Sequence, residues 1–248
     1  MKETFVKEWH GIPLQLIKGA EKEKVPGADF YAGFYEKFFD AHQSWKDLDP
    51  AWIDHKINLA TFIQSRLVGS NRVLSIGCGI GVIEKYLLES GVKELEIQEV
   101  SEEPLHWIRP LFINEAVHIG KPSECLKTSG KYDYIFLSCV DCCFDEQGWI
   151  NLLQEVKNKL NPEGRCLVIS STYHLSNYSW FEICLGIRAG VRRLLSFFKI
   201  YDMGLMLGWR RSRDDFLEAM TQSGFAVVDE GIVSDALVPR SYWIEGVK

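Results

Sequence analysis

Hydrophobic and polar positions follow two periods along this chain, and the two periods alternate. Strand patterns lie at 73–76, 94–100, 132–139 and 165–171, and those at 73–76 and 132–139 are apolar almost throughout, as is typical of buried strands. Apolar residues recur at helical spacing in 50–67, 82–88, 147–160 and 213–223. Weaker strand patterns lie at 115–120, 225–228 and 240–244. Strands that alternate with helices predict an α/β fold with a largely parallel sheet and helices on both faces.

The first part of the chain has a different pattern. Residues 1–28 are polar and irregular, which predicts a flexible or clasping arm. Aromatic residues then recur at helical spacing from Phe30 to Phe39 and predict a helix. We therefore expect an arm with an aromatic helix over 1–49, followed by the main domain over 50–248.

A glycine-rich turn, Gly77-Cys-Gly-Ile-Gly81, separates the first predicted strand from its helix. Such a turn lets backbone N–H groups approach a ligand, and the helix N-terminus behind it favours an anionic group. Val82 stands where the dinucleotide fingerprint has its third glycine, which disfavours an NAD-dependent oxidoreductase. Glu99 ends the second predicted strand, where a carboxylate can accept hydrogen bonds from both hydroxyls of a ribose.

Four segments in this order resemble the class I S-adenosylmethionine-dependent methyltransferases. They are the glycine motif at 73–81, the acidic strand end at 99–105, the fourth strand at 131–138 and the turn into the fifth at 160–169. The resemblance covers about residues 50–248. It implies a Rossmann-like three-layer sandwich with a seven-stranded, mostly parallel sheet whose last strand is antiparallel. It also implies S-adenosyl-L-methionine as cofactor and in-line methyl transfer to oxygen or nitrogen of a small-molecule acceptor.

The resemblance also implies which residues contact the cofactor. They come from the glycine motif, two strand ends and the aromatic helix: Ser75, Gly77, Cys78, Gly79, Gly81, Glu99, Val100, Ser138 and Tyr35. Tyr31 and Tyr35 would fold over the methionine end, although packing of this helix on the sheet is the alternative. Lys121 stands where many family members have an Asp that contacts the adenine amine.

Two side chains are candidates for the general base that an oxygen acceptor requires. His174 lies just beyond the fifth strand, and histidine titrates near neutral pH. Asp141 follows the fourth strand, where capping of the next helix is its alternative role. The cysteines at 139, 142 and 143 have no second Cys or His pair at matching spacing, so no metal is expected.

A long insertion, 175–211, precedes the late helix. Its apolar residues follow helical spacing, whereas Arg188, Arg192 and Lys199 share another face. We expect a helical lid over the substrate pocket. Contact with an anionic membrane surface and a homodimer contact are the alternatives. Aromatic residues in the arm and lid favour an apolar or aromatic acceptor, but Arg188, Arg192, Arg210 and Arg211 equally suit a phosphate or carboxylate, and sugars remain open.

Composition narrows the class of protein. The chain has 248 residues, 46% hydrophobic and 25% charged, which fits one domain with a sizeable core. A net charge of −6 disfavours a nucleic-acid partner. Seven cysteines in largely apolar surroundings and the absence of a signal-peptide pattern favour the cytoplasm. The alternative function is a regulatory or assembly protein that binds S-adenosylmethionine without catalysis, because a fold does not fix the chemistry.

Overall fold

The computed structural model describes residues 2–17, 27–128, 130–170, 187, 190–192, 194–198, 200, 204–233 and 241–248. Its strands are β1 (Lys2–Val6), β2 (Glu8–Trp9), β3 (Ile12–Pro13), β4 (Arg72–Ile76), β5 (Glu94–Glu99), β6 (Val117–Ile119), β7 (Tyr132–Ser138), β8 (Leu160–Ser170), β9 (Leu205–Arg210), β10 (Ala226–Val233) and β11 (Ser241–Val247). Six of its α-helices are α1 (Ala28–Ala41), α2 (Pro50–Arg66), α3 (Val82–Glu89), α4 (Pro122–Thr128), α5 (Glu146–Lys159) and α6 (Arg213–Gln222).

Seven strands form the main sheet, in the order β10-β11-β8-β7-β4-β5-β6. The five strands from β6 to β8 in this order pair parallel, and β11 runs antiparallel between β8 and β10. The predicted seven-stranded, mostly parallel sheet with an antiparallel last strand is therefore confirmed. Strand order reverses between β4 and β7, and ligands bind outside the carboxyl ends of strands at such a switch point.

Helices cover both faces of this sheet, which confirms the three-layer sandwich. Val73 and Phe136 pack on one face with residues of α2 and α3. Leu74 and Ile135 pack on the opposite face with residues of α4, α5 and α6. Because side chains of a strand alternate between faces, a strand covered on both sides must be apolar at nearly every position. This explains the continuous apolar runs in the sequence.

The helix starts follow from local sequence. Asp49 accepts a hydrogen bond from the backbone N–H of Ala51 at 2.9 Å, and Pro50 occupies the first helical position of α2, as the sequence predicts. Asp145 caps α5 through the N–H of Gly148 at 2.7 Å. Across the described ranges, no helix is both long enough and apolar enough to span a bilayer.

The N-terminal arm is more regular than the sequence indicates. β1 pairs antiparallel with β9, so residues 205–210 do not return directly to the main sheet. β2 and β3 form a hairpin whose turn residues, His10 and Gly11, have φ values of 50° and 75°. Trp9 stacks on Phe34 of α1 with ring centroids 4.5 Å apart. No local pattern indicates the pairing of β1, because its partner strand β9 lies about 200 residues away in the chain.

The segment after β5 also differs from expectation. The sequence predicts one helix capped by Ser101, but the structure has three short 3₁₀ helices, at Glu103–His106, Arg109–Leu111 and Asn114–Ala116. Pro110 has no N–H to donate, so a continuous α-helix through this segment would lose a hydrogen bond and meet the proline ring. The turns place Ile108 beneath the glycine motif.

Candidate active site

A cavity of about 760 Å³ lies at the carboxyl ends of β4, β5 and β7. Its wall includes the glycine turn, the end of β5, the residues after β7, the segment 120–124 and one side of α1, with further side chains from the β2–β3 hairpin, α2, α3 and α5. The volume is in the range of small-molecule sites. The cavity therefore occupies the position that the strand order marks for a ligand.

The glycine turn requires glycine for two reasons. Gly77, Gly79 and Gly81 have φ values of 69°, 58° and 73°, in the left-handed region that side chains disfavour. A Cβ on Gly77 would also lie 2.5 Å from Cγ2 of Val140, and one on Gly81 would lie 2.5 Å from Cγ1 of Ile108. The backbone is thus held against its neighbours while residues 77–84 line the cavity.

Glu99 joins the end of β5 to this turn. Its carboxylate accepts hydrogen bonds from the N–H of Gly79 at 2.8 Å and from the N–H of Val100 at 2.7 Å. Burial raises the pKa of Glu99, and these two donors act in the opposite direction. Each carboxylate oxygen accepts more than one hydrogen bond, so a ribose diol fits here as a further pair of donors.

Two tyrosines of α1 lie beside the cavity, Tyr35 at the glycine turn and Tyr31 at the residues after β7. The hydroxyl of Tyr31 lies 3.1 Å from Sγ of Cys143, and a Cβ on Gly79 would lie 3.4 Å from the hydroxyl of Tyr35. Burial raises the pKa of both hydroxyl groups, which keeps them neutral. Both side chains line the cavity, and α1 also packs on Ile80 of the turn. Their aromatic faces suit a sulfonium cation.

Two charged side chains that sequence analysis did not single out line the same cavity, Lys56 of α2 and Glu84 of α3. Glu84 is buried, and Ser75 Oγ donates to its Oε1 at 2.5 Å. Its Oε2 has no hydrogen-bond partner among the described residues. Burial raises the pKa of Glu84 to about 7, against the effects of Ser75 and Lys56.

An ammonium group and a carboxylate in one cavity are complementary to the zwitterionic methionine end of S-adenosylmethionine. Lys56 would hold the carboxylate of that end, and Glu84 would hold the ammonium. One sequence signal could have identified Glu84. It lies between the apolar residues Ile83 and Leu87 and three positions before Leu87, so it is a charged residue on the apolar face of its helix.

Most of the predicted cofactor-contacting residues line the cavity: Tyr35, Gly77, Cys78, Gly79, Gly81, Glu99, Val100 and Ser138. Ser75 is not among the lining residues, because it lies buried in β4 with its hydroxyl directed to Glu84. Lys121 lines the cavity together with neighbouring residues up to Glu124. His174, the other predicted site residue in this region, lies outside the described residues.

Asp141 lies behind the cavity wall, contrary to the sequence-based expectation. It is fully buried and accepts a hydrogen bond from Ser170 at 2.9 Å, while Nη1 of Arg211 lies 3.9 Å from the same carboxylate oxygen. Arg211 also donates to the carbonyl groups of Asp141, Phe144 and Asp145. Burial raises the pKa of Asp141 to about 6. This pair fixes the loop after β7, so neither side chain faces a ligand in the cavity.

The cysteines after β7 lie close together beside the cavity. The sulfur atoms of Cys142 and Cys143 are 3.9 Å apart, and Cys139 and Cys143 line the cavity. Among the residues with described positions, no group of three or more His, Cys, Asp or Glu side chains is arranged to hold a metal ion.

The fold, the glycine cradle and the carboxylate at Glu99 together define a class I S-adenosylmethionine-dependent methyltransferase. Residues 44–230 match the model of the methyltransferase domain family, and the chain belongs to this family. S-Adenosylmethionine is its cofactor, and solved structures with the same fold contain either this molecule or S-adenosylhomocysteine. The predicted family, activity and cofactor are thus confirmed.

Three relatives illustrate the similarity. The chain is 22% identical over 196 residues to N-terminal Xaa-Pro-Lys N-methyltransferase 2 of Danio rerio, covering 68% of this chain and 69% of the relative. Magnesium protoporphyrin IX methyltransferase from Synechocystis superposes with a TM-score of 0.58 at 15% identity, covering 87% and 94% of the two chains. Human N-acetylserotonin methyltransferase superposes with a TM-score of 0.55 at 14% identity, and the match covers 96% of this chain and 60% of the human chain.

Proposed function

We propose that the protein methylates an oxygen or nitrogen atom of a small, mostly apolar or aromatic molecule. The observation that carries this proposal is the aromatic part of the cavity wall, formed by Trp9, Tyr31, Phe34 and Tyr35. Aromatic faces with few polar groups suit a flat, apolar acceptor. The hairpin β2–β3 and α1 lie over this part of the wall and would limit the size of an acceptor.

S-Adenosylmethionine supplies a methyl group that its sulfonium charge has already activated. The chain therefore has to orient the donor, exclude water and align the acceptor. Glu99 would orient the ribose, Lys56 and Glu84 would hold the methionine end, and Tyr31 and Tyr35 would cover the reacting centre. An oxygen acceptor would also need a proton acceptor, and we assign this role to His174 because the sequence has it four residues after the carboxyl end of β8.

Two solved relatives are named for small-molecule methylation, of magnesium protoporphyrin IX and of N-acetylserotonin. These names support a small-molecule acceptor here and do not identify it. The relatives give no support to the alternative of a protein that binds the cofactor without catalysis.

A second acceptor class comes from the zebrafish relative, whose name states methylation of a protein N-terminus that begins Xaa-Pro-Lys. A peptide would have to enter past the hairpin and α1, where Trp9 stacks on Phe34. We therefore rank a peptide acceptor second to a small molecule.

We also propose that the protein works in the cytoplasm. The six cysteines of the described residues are not joined in disulfides, as is typical of a reducing compartment. The net charge of −6 argues against nucleic acid as a substrate.

The first experiment is calorimetric titration with S-adenosylmethionine, S-adenosylhomocysteine and NAD. Wild type should bind the first two and not NAD. Glu99→Ala should bind them on the order of a hundredfold more weakly, because the ribose hydroxyls and the N–H groups of Gly79 and Val100 lose their acceptor. Glu103→Ala, a nearby exposed carboxylate, is the matched control and should bind normally.

The second experiment measures transfer of labelled methyl from S-adenosylmethionine to aromatic alcohols, aromatic amines and Xaa-Pro-Lys peptides. We expect methylated product from the small molecules. His174→Ala should form less product than wild type from the alcohols only. Methylation of the peptides alone would replace the small-molecule proposal with the second candidate. Cofactor binding without transfer to either acceptor panel would contradict both acceptor classes as tested.

A further inference from the structure

Two adjacent cysteines lie in the short 3₁₀ helix that follows β7. This helix comprises Asp141–Cys143, and the sulfur atoms of Cys142 and Cys143 are 3.9 Å apart. The hydroxyl group of Tyr31 lies 3.1 Å from the sulfur of Cys143. Methyl transfer, as proposed above, uses neither thiol, so the pair is a cluster of nucleophilic groups without a role in that reaction.

The cavity gives access to one of the two sulfur atoms. Cys143 lines the cavity, and both Cys142 and Cys143 are partly exposed. A small polar oxidant that enters the cavity can therefore reach Cys143. None of the described residues of the insertion 175–211 lines the cavity, so the lid stays a prediction.

The two thiols differ in acidity. A hydrogen bond from Cys142 lowers the pKa of Cys143, and one from Tyr31 adds to this effect, while burial and nearby carboxylates act in the opposite direction. The hydrogen bond to Cys143 and burial raise the pKa of Cys142, which therefore keeps its proton. A thiolate is the form of cysteine that reacts with peroxides. Cys143 is thus the attacking thiol and Cys142 the thiol that resolves the product.

We propose that Cys143 and Cys142 form a peroxide-sensitive thiol pair whose oxidation to a disulfide weakens cofactor binding. The Cys143 thiolate attacks one oxygen of hydrogen peroxide, the O–O bond breaks, and the other oxygen takes a proton from solvent and leaves as water. Cys143 is then a sulfenic acid. The sulfur of Cys142 attacks the sulfenic sulfur, and its proton leaves with the hydroxyl group as a second water. The two thiols together lose two electrons, which the peroxide gains.

A disulfide would change the wall of the cofactor site. Bonded sulfur atoms are about 2.05 Å apart, so the two sulfur atoms have to approach each other from 3.9 Å. The Cα atoms of adjacent residues are about 3.8 Å apart, which is less than most disulfides span, so the 3₁₀ helix must change its dihedral angles. Cys143 would then leave its position beside Tyr31. Cys143 also interacts electrostatically with Glu99 and Tyr35, so the change reaches the cofactor site.

The surroundings of the pair favour a reversible change. Arg211 donates hydrogen bonds to the carbonyl groups of Asp141 and Phe144, so the chain is held on both sides of the two cysteines. A strained disulfide is reduced more readily than an unstrained one, as is typical of labile and regulatory disulfides. We therefore expect an added thiol to restore the reduced pair.

The test begins with folded wild type treated with a small excess of hydrogen peroxide. The remaining thiols are alkylated, and mass spectrometry examines the tryptic peptide 132–157, which contains Cys139, Cys142 and Cys143. This peptide should lose two hydrogen atoms, with Cys142 joined to Cys143 and Cys139 alkylated. Calorimetric titration should show that the oxidised protein binds S-adenosylhomocysteine roughly tenfold more weakly than the reduced protein. Dithiothreitol should restore the affinity.

The ligand itself provides a second measurement. S-Adenosylhomocysteine added before the peroxide should slow disulfide formation in proportion to the fraction of sites that it fills. The reason is that it occupies the cavity through which peroxide reaches Cys143. Oxidation at the same rate with the site filled and with the site free would overturn the proposed link between the pair and the cofactor site.

Three variants locate the effect. Cys143→Ser should form no disulfide, and its affinity for S-adenosylhomocysteine should be the same before and after peroxide. Cys142→Ser should stop at the sulfenic acid of Cys143, which dimedone traps. Cys125→Ser changes a buried cysteine of α4 and is the matched control. It should form the disulfide and lose affinity as wild type does.

S-Adenosylhomocysteine binding before oxidation reports whether each protein has folded, and Cys143→Ala replaces Cys143→Ser if the latter does not bind. Wild type that binds the ligand and forms no disulfide with peroxide overturns the proposal. A disulfide that contains Cys139 instead of Cys143 overturns the assignment of the pair. A disulfide between Cys142 and Cys143 with unchanged affinity overturns the effect on the cofactor site. Loss of affinity after peroxide in the Cys143 variant would also contradict the proposal, because another residue would then be responsible.

Discussion

Ser75 Oγ donates a hydrogen bond of 2.5 Å to Oε1 of Glu84, while Oε2 of the same carboxyl group has no hydrogen-bond partner among the described residues. Ser75 projects from β4 and Glu84 from the first turn of α3, so the bond spans the two elements that the glycine turn connects. One carboxylate oxygen is thereby fixed in place. The other is buried, and the described residues supply it with no donor.

We expect Glu84→Gln to bind S-adenosylhomocysteine more weakly than wild type, by roughly tenfold to a hundredfold. The amide cannot supply the negative charge that the α-ammonium of the ligand requires, and a hydrogen bond to a charged group contributes about 1.5–3 kcal/mol. Calorimetric titration measures the change. An analogue that lacks the α-amino group should bind the variant and wild type alike.

Glu89→Gln is the matched control for this prediction, since Glu89 lies on the same helix, has 60% of its side chain exposed and pairs with Lys85. It should bind S-adenosylhomocysteine normally. Lys56→Met should weaken the binding of S-adenosylhomocysteine and leave unchanged the binding of an analogue without the carboxylate. If Glu84→Gln weakens the deaminated analogue as strongly as the parent compound, Glu84 does not contact the ammonium group.

Glu84 also predicts a pH dependence of stability. Its pKa is raised from 4.5 to about 7 by burial, so the folded state keeps a proton that the unfolded chain releases above pH 4.5. Stability from this group is therefore fully present below pH 4.5 and is lost as pH rises through 7, by on the order of 3 kcal/mol. Urea unfolding at several pH values should show that Glu84→Gln loses less of its free energy of unfolding than wild type as pH rises. If the free energy of unfolding falls with pH equally in both proteins, the prediction is contradicted.

The glycine turn can be tested through steric relief. Gly77→Ala places a Cβ 2.5 Å from Cγ2 of Val140 and also requires a positive φ, so it should destabilise the protein by about 2–4 kcal/mol and abolish S-adenosylhomocysteine binding. Adding Val140→Ala should recover part of the stability. Gly91→Ala is the control, because Gly91 has a φ of 93° but no atom within 4 Å of the added carbon. If Gly77→Ala and Gly91→Ala lose the same amount of stability, backbone conformation alone explains the effect.

The framework of the fold was predictable because its signals are local. Asp49 and Pro50 mark the start of α2 through a cap and a fixed φ. Continuous apolar runs mark strands buried on both faces, and Gly77 to Gly81 mark the turn. Each depends on neighbouring residues, which a sequence displays directly.

Contacts between distant residues had no such signal. The pairing of β1 with β9 joins residues about 200 positions apart, and no local pattern in residues 2–6 specifies it. The orientation of Asp141 was also hidden, because a residue after a central strand can face either the cavity or the loop behind it. Burial beside Arg211 decides the orientation, and Arg211 comes from a different part of the chain.

The pair of Asp141 and Arg211 gives a final prediction, which separates a structural role from a catalytic one. Arg211→Met should lower the free energy of unfolding by about 3–5 kcal/mol, because it leaves a buried carboxylate without its cation and removes one hydrogen bond from each of three carbonyl groups. Asp141→Asn should cost less, since an amide oxygen still accepts from Ser170. Urea unfolding of the two single variants and the double variant should give a coupling energy above about 1 kcal/mol.

Arg213→Met is the control for this series. Its side chain is 51% exposed and pairs with Glu230, and such surface ion pairs contribute about 1 kcal/mol or less. Asp141→Asn should also retain normal S-adenosylhomocysteine binding, because Asp141 lies behind the cavity wall. If instead Asp141→Asn abolishes methyl transfer while stability and S-adenosylhomocysteine binding stay at wild-type values, Asp141 takes part in the reaction. The loop after β7 would then have to rearrange when the acceptor binds.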